Sequence, residues 1–460
     1  MYIIHTKLRM NHPIPSKFLE RMQKTIAGSD FQRFADSFSE PPVTSVRINP
    51  RKSGPGFGVA APVPWCKYGR YLEEKPVFTL DPAFHGGAYY PQEASSMILW
   101  NIMEEIEGES GKDLRILDLC GAPGGKSTLI ASFFNGEGLL VSNEVIRQRA
   151  WILRENIIKW GAPNVVVSQS NPSAFSKLSG FFDVMIVDAP CSGEGMFRKG
   201  DVARREWSVE NTELCAIRQR RILKDSWNAL KENGWLIYST CTFNPAENEG
   251  NIRWLLEEAD AEVKILEVPP EWGITKVPIE SGNGLAFLPH KVKGEGFFVA
   301  LIQKKENSGN IKLPKVPKNK SSVPTEIKSL LKEPDTFAFL EDKQNWTAFP
   351  KQEAVDLLFL QKTLNLLHYG IPLGKRGRKE VIPHHSLAMS WACNEGYPEL
   401  NLGKEEALRY LKGETPSVSG NIPGGFYRVI CNNTPIGFVK SVGNRFNNLY
   451  PREWRIRMNV

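Results

Sequence analysis

Two cysteines stand where a chain could put them to chemical use. Cys191 closes the run FDVMIVDAPC (182–191) and Cys241 closes WLIYSTC (235–241), with Asp188 three residues before the first thiol. Carbon 5 of a pyrimidine is too poor a nucleophile to take an alkyl group unaided. A thiolate adding to C6, while an acid protonates or hydrogen-bonds N3, turns C5 into an enamine carbon that can attack an electrophilic methyl group. A base must then remove the C5 proton so that the thiol can leave. Cys241, Asp188 and Cys191 supply the three group types this sequence needs. Singly, a strand-end cysteine is commonly no more than a small buried hydrophobe; it is the combination that carries the chemical reading. A methyltransferase acting on an exocyclic amine would place an aromatic where Cys191 stands, so amine chemistry is disfavoured.

A second constellation is CGAPGGKST at 120–128. A triphosphate-binding P-loop, GxxxxGK[ST], requires glycine where this chain has Cys120, and a dinucleotide GxGxxG is broken by Ala122 and Pro123. What survives is a strand, a tight glycine turn (Gly121, Gly124, Gly125) and a helix start at Lys126, with Glu144 ending the next apolar run. An acid there can accept hydrogen bonds from both hydroxyls of a ribose, which the adenosine of NAD and that of S-adenosylmethionine both offer.

The elements that must position these residues are legible as alternation. LRILDLC (114–120), LLVSNE (139–144), VVV (165–167), FDVMIVDAPC and WLIYSTC read as near-continuous apolar strands. Between them lie a helix over 126–134, a helix with Ile146, Ala150, Leu153 and Ile157 on one face, and a long helix from about Ser208 to Lys231 stopped by Gly234. The pattern predicts an α/β fold with a parallel sheet buried on both faces, and ligands bind at the carboxyl ends of such strands. Strands near 263–268 and 297–303 without a helix between them predict an antiparallel ending. Upstream, Phe18, Leu19, Met22 and Ile26 share a helical face after Ser16, a candidate N-cap, and a strand follows over 45–49.

The chain has 460 residues, several times the ~150 of one domain. Its hydrophobic content of 41%, charged content of 24% and net charge of +7 exclude wholesale disorder and tilt it towards a polyanionic partner. Seven irregularly spaced cysteines without a CxxC pair predict reduced thiols in a cytoplasm. No apolar run reaches the ~18 residues of a membrane span, and neither the cysteines nor His384-His385 have metal-ligand spacing, so neither membrane nor metal is expected. Lysines 312, 315, 318, 320, 328 and 332 interleaved with prolines mark a basic linker. The tail beyond it carries Lys375, Arg376, Arg378 and Lys379 and ends in the strand-like GGFYRVICNNTPIGFVK. Trp207, Trp227, Trp235 and Trp254 read as core rather than as stacking platforms.

LDLCGAPGGKST, NEVIRQRAWILRENI, VDAPCSGEGMFRK and YSTCTFNPAENEGNI resemble the successive motifs of the Nol/Nop/Sun family of RNA cytosine-5 methyltransferases. PVTSVRINP and YYPQEASSM are similar to its N-terminal portion. GIPLGKRGRKEVIPHHSLAMS and GNRFNNLYPREWRIR resemble the bacterial RsmF-like branch, whose members act on small-subunit ribosomal RNA. The resemblance implies a Rossmann-like class I methyltransferase domain over 81–305, an N-terminal RNA-binding extension over 1–80, the basic linker over 306–335, and a C-terminal RNA-binding region with a PUA-like domain over 336–460. It further implies a cytoplasmic monomer acting on ribosomal RNA or the small subunit with S-adenosylmethionine. Cys120, Gly121, Ala122, Pro123, Gly124, Gly125 and Lys126 would cradle the methionine and ribose side of that cofactor. Glu144 would take the ribose hydroxyls, with Arg149 among the cofactor contacts, and Asp188 the methionine end and the target base. Cys241 would be the nucleophile and Cys191 the product-release residue. Where the family has an Asp near the adenine, this chain reads Ser170-Asn171; the Asn171 carbonyl can still accept from the adenine amino group but lacks the charge.

Two alternatives remain open on the sequence. A DNA cytosine-5 methyltransferase would use Cys191 as its nucleophile and carry an ENV tripeptide, which this sequence lacks. A non-catalytic RNA-binding factor retaining the cofactor as a structural ligand would have no need of both thiols beside Asp188.

Overall fold

The computed structural model describes residues 12–458 apart from 27, 56, 112, 308, 310–312, 315–321, 378, 379 and 418–421. Lys312, Lys315, Lys318 and Lys320 of the linker and Arg378 and Lys379 of the basic run therefore lie outside the described residues. The chain divides into two compact units, each assembled from separated segments: 1–44, 93–98 and 172–311 form one, and 45–92, 99–171 and 312–460 the other.

In the first unit, strands Phe182–Asp188 and Leu230–Thr240 run parallel, with Asp188 opposite Ser239. Val184, Met185, Ile186 and Val187 are all fully buried, as a strand covered on both faces requires. Leu230–Thr240 pairs antiparallel with Phe297–Lys304, which pairs with Gly282–Phe287 and with the short Ala261–Val263. The antiparallel ending is present, but its first strand is Ala261–Val263 rather than 263–268, and a hairpin that the sequence did not suggest, Thr275–Ile279 to Gly282–Phe287, joins it. The long helix runs from Val209 to Ser226 and is capped by Ser208, whose Oγ accepts from Asn211 N at 3.0 Å. It does not reach Lys231: Leu230 already pairs with Phe182, and Asn233 at positive φ lies where the register shifts. Strand pairing therefore overrides the local helical pattern.

The upstream helical region is two helices, Ser16–Thr25 and Gly28–Ser37. Ser16 is not the cap. The N-cap is Pro15, whose carbonyl accepts from Phe18 N and Leu19 N at 3.1 and 3.2 Å, and no side-chain cap bond forms. Phe18 and Phe34 of these helices, and Phe38 just after the second, are buried against Phe197 and Trp207, with Phe243 packed on the same cluster.

In the second unit, Arg115–Asp118, Leu139–Asn143 and Val165–Ser168 lie parallel and in that order. Helices Gly125–Phe134 and Arg147–Trp160 follow the first two strands. Ala150, Leu153 and Ile157 are buried as expected, but Ile146 is 51% exposed because it is the extended N-cap residue, outside the helix. Val165–Ser168 acquires an antiparallel edge partner from far downstream, Leu366–Tyr369. A three-stranded sheet centres on Ser45–Ile48, flanked by Gly69–Tyr71 and Tyr89–Pro91. Two four-stranded sheets complete the C-terminal part, and the GGFYRVICNNTPIGFVK segment forms the hairpin Gly425–Cys431 to Thr434–Ser441. Asn432 and Asn433 turn it with φ of 49° and 58°, the signs a tight two-residue hairpin turn demands. No helix among the described residues is long and apolar enough to cross a membrane.

Candidate active site

The parallel pairing of Phe182–Asp188 with Leu230–Thr240 delivers both thiols to the same strand ends. Cys191 Sγ lies 3.3 Å from Cys241 Sγ, and both residues are half-buried. On the same edge, Asp188 Oδ1 accepts from Ser239 Oγ at 2.9 Å. The Cys191 thiol is pushed well above its ordinary pKa, first by its hydrogen bond to Cys241, then by burial and by the negative charges of Cys241 and Glu247. Either sulfur of the pair can be the donor, and ionisation of Cys191 is the one that its surroundings disfavour.

The turns after each thiol are anchored from the N-terminal helices. Glu194, fully buried, accepts from Arg21 Nη2 at 2.6 Å, from Trp207 Nε1 at 2.8 Å and from Phe243 N, two residues past Cys241, at 3.2 Å. Gly195 donates its N–H to the Cys241 carbonyl at 2.9 Å; a Cβ there would meet the Gly296 carbonyl at 2.3 Å and the Cys241 carbonyl at 2.9 Å, so the approach requires glycine.

The glycine loop belongs to the second unit and joins Arg115–Asp118 to Gly125–Phe134. Gly124 is the helix N-cap at φ 119°, and a Cβ there would also crowd Asn156 and Leu153 at 3.3 and 3.4 Å. Arg149 Nη2 donates to the Ala122 carbonyl at 2.8 Å while its Nη1 lies 3.3 Å from Glu144 Oε2. Asn156 Nδ2 donates to the Pro123 carbonyl at 2.7 Å. Glu144, only 3% exposed, accepts from Ile146 N at 2.9 Å through Oε1. A carboxylate offers about four lone-pair sites, so these two interactions leave acceptor capacity for a vicinal diol. The N-cap, Gly124, makes no side-chain cap bond to the helix. These features fit an adenosyl cofactor: Glu144 is a carboxylate that could take its ribose hydroxyls, and the loop offers backbone that could line its methionine end.

Asn143 organises this half. Its Nδ2 donates to the Leu119 and Ser170 carbonyls at 3.1 and 3.0 Å, and its Oδ1 accepts from Ser168 Oγ and Ser170 N at 2.8 and 2.9 Å. One buried carboxamide thereby fastens the residues next to Cys120, Glu144 and Asn171. Behind the loop, buried Arg47 donates to Gly125 O, Thr128 Oγ1, Ser132 Oγ and Gln92 Oε1 and lies 4.5 Å over the Trp160 ring.

The residues singled out in the sequence thus fall into two groups. Cys191, Cys241 and Asp188 share one strand edge. Cys120 through Lys126 form the loop that Arg149 ties to Glu144, and Asn171, exposed, follows the third strand. Trp207, Trp227 and Trp235 are core residues. Sequence reasoning missed Asn143, Arg47, Glu194 and Glu247; only the placement of Asn143 at the last position of an apolar strand hinted at a buried polar role.

Residues 107–303 match the family model of 16S rRNA methyltransferase RsmB/F, residues 14–94 the N-terminal domain of 16S rRNA methyltransferase RsmF, and residues 397–456 the RsmF PUA domain. The ribosomal RNA small subunit methyltransferases F of Erwinia tasmaniensis and Shigella boydii are each 29% identical over 95% of this chain and 96% of their own length. A methyltransferase homolog protein from Pyrococcus horikoshii, 27% identical, covers 63% of this chain and 95% of that chain with a TM-score of 0.52. NSun6 from Pyrococcus horikoshii, solved with SFG, is 19% identical and covers 64% of this chain and 99% of that chain with a TM-score of 0.53, a likeness of fold. The chain thus has a Rossmann-like methyltransferase fold and carries, in order, an N-terminal RsmF domain, an S-adenosylmethionine-dependent methyltransferase domain of the RsmB/F type and a C-terminal RsmF PUA domain.

Proposed function

We propose that this protein methylates C5 of a cytosine in 16S ribosomal RNA through a covalent bond between Cys241 and C6. The observation that carries the proposal is the 3.3 Å thiol pair on adjacent parallel strand ends, with Asp188 on the same edge. S-adenosylmethionine, when bound, supplies an electrophilic methyl group. The Cys241 thiolate adds to C6 while Asp188, in its acid form, gives its proton to N3 and takes it back when the C6–S bond later breaks; C5 is thereby able to form its new carbon–carbon bond. Once the Cys241 sulfur is bonded to C6 it can no longer carry a negative charge, so one of the causes that oppose ionisation of Cys191 is gone. Cys191 can then ionise and take the C5 proton, the C6–S bond breaks, and Cys241 leaves as a thiolate. Supported by the N-terminal and PUA family models, residues 1–80 and 336–460 bind RNA, 81–305 carries out methyl transfer and 306–335 links them, in a cytoplasmic monomer acting on ribosomal RNA or the small subunit.

The test is product analysis. Purified protein, tritiated cofactor and small-subunit RNA should yield 5-methylcytidine on nucleoside digestion, and bisulfite mapping in a strain lacking the protein should locate the position. Only N-methylated or ribose-methylated product would reject the proposal.

A further inference from the structure

One carboxylate engages the residues that follow both thiols. Glu247 is fully buried. Its Oε2 accepts from Ser192 N and from Gln219 Nε2, each at 2.9 Å, and its Oε1 accepts from Ser192 Oγ at 2.5 Å and Thr242 Oγ1 at 3.3 Å. Ser192 follows Cys191 and Thr242 follows Cys241, and their hydroxyls lie 3.0 Å apart. The Glu247 main chain is itself held, since its carbonyl accepts from Tyr238 Oη at 2.6 Å, on the strand that ends before Cys241. Ser192 N–H and Gln219 Nε2 can only donate, so Oε2 accepts from both, and these bonds favour the ionised form of the carboxyl. Burial pushes its pKa up, and the bonds from Ser192 and Gln219 oppose that rise. The other ionisable groups that interact with it are Cys191, Cys215, Tyr238 and Glu194.

We propose that Glu247 is a positioning residue with two effects: it fixes the spacing of the two sulfurs by bridging Ser192 and Thr242, and its negative charge, held against the Ser192 N–H and hydroxyl next to Cys191, opposes ionisation of Cys191 more than that of Cys241, so that Cys241 is the first of the pair to become a thiolate. The proposal rests on the reading of Cys241 as the nucleophile, and its consequence appears in the thiols themselves. A merely structural Glu247 would stabilise the fold without distinguishing one sulfur from the other.

The experiment uses the full chain without RNA or cofactor, so that it does not depend on the methylated product. Wild type, Glu247→Gln and Glu247→Asp are alkylated with iodoacetamide from pH 6 to 9.5, and modification of the Cys191 and Cys241 peptides is followed by mass spectrometry. In wild type Cys241 should react first. In Glu247→Gln the ratio of Cys241 to Cys191 rates should fall by about tenfold, the effect of one pKa unit on a thiolate fraction, and Glu247→Asp should restore most of it because the charge returns. An unchanged ratio in Glu247→Gln, or an equal fall in Glu247→Asp, would overturn the proposal. Should Glu247→Gln not fold, the double variant Ser192→Ala, Thr242→Val cuts the hydroxyl arm of the bridge and leaves the charge. Its two thiols should then be oxidised by diamide to a Cys191–Cys241 disulfide several-fold more slowly than in wild type, two S–H bonds giving one S–S bond while the azo group is reduced to the hydrazine. An undiminished rate would count equally against the bridge. A failure of the 5-methylcytidine assay with the alkylation result intact would remove the pyrimidine reading and leave the role of Glu247 standing.

Discussion

Cys191 Sγ and Cys241 Sγ are 3.3 Å apart, within hydrogen-bond reach, so the ionisation of either sulfur depends on the state of the other. Cys241→Ser should abolish both turnover and covalent capture of RNA, because a hydroxyl is far less acidic and less nucleophilic than a thiol. Cys191→Ala should leave attack possible and slow release by about 10²–10⁴-fold, the usual weight of one acid–base group. A protein–RNA adduct should therefore accumulate and survive denaturing electrophoresis only in the Cys191 variant. The opposite pattern would assign attack to Cys191, as in the DNA-type enzymes.

Glu144 and Asn143 are adjacent but should fail differently. Glu144→Gln keeps the shape and loses the anionic acceptor; hydrogen bonds to a charged group contribute about 1.5–3 kcal/mol, so calorimetry should show roughly 10- to 100-fold weaker cofactor binding at nearly unchanged stability. Asn143→Asp turns two donors into an anion facing the Leu119 and Ser170 carbonyls. It should lower stability by about 1–3 kcal/mol in urea titrations as well as weaken binding. Equal effects of the two variants on stability would refute the distinction.

Two buried histidines make stability depend on pH. Burial, with Lys159 nearby, pushes His85 down to about 4, and burial, with Arg154 nearby, pushes His368 down to about 3. Their folded values lie below the unfolded ~6.5, so the unfolded chain binds more protons as pH falls. The stability they confer is present above pH 6.5 and is lost as pH falls from there to about 4 for His85 and about 3 for His368, at up to about 2 kcal/mol each by pH 5. The urea midpoint should fall from pH 7 to pH 5, and His368→Asn should reduce that fall. A His368→Asn slope equal to wild type would place the acid sensitivity elsewhere.

The parallel strands and the glycine loop were legible because their signals are local: continuous apolar runs such as MIVD and a turn that only glycine can make. The thiol pair was legible for a related reason, since two parallel strands of known direction bring their ends together whatever the loops do. What stayed hidden depends on partners distant in sequence. Leu366–Tyr369 has no feature that names Val165–Ser168 as its neighbour almost 200 residues earlier. The helix stop at Ser226 is decided by the pairing of Leu230 with Phe182. Glu194 and Glu247 read as ordinary loop acids, and only the fold surrounds them with donors from three or more segments.

That edge strand also changes how the tail must be tested. Cutting the chain at the linker removes Leu366–Tyr369 from Val165–Ser168 and strips Ile158 of the C-terminal residues packed against it, so lost RNA affinity could not be separated from a damaged cofactor half. Charge reversal in the full chain avoids this. Lys375 and Arg376 are exposed at the end of Ile371–Arg376, and Arg376 pairs with Glu326 at 3.0 Å. Such an exposed pair contributes only about 0–1 kcal/mol, so Arg376 can exchange it for a phosphate at little cost. If both side chains meet phosphates, Lys375→Glu with Arg376→Glu should weaken RNA binding and reduce the slope of log K against log salt by about 0.7–0.9 for each phosphate no longer neutralised. Cofactor affinity should not move. An unchanged salt slope in filter binding or anisotropy would mean that this run is a solvated loop and that the tail holds RNA through other residues.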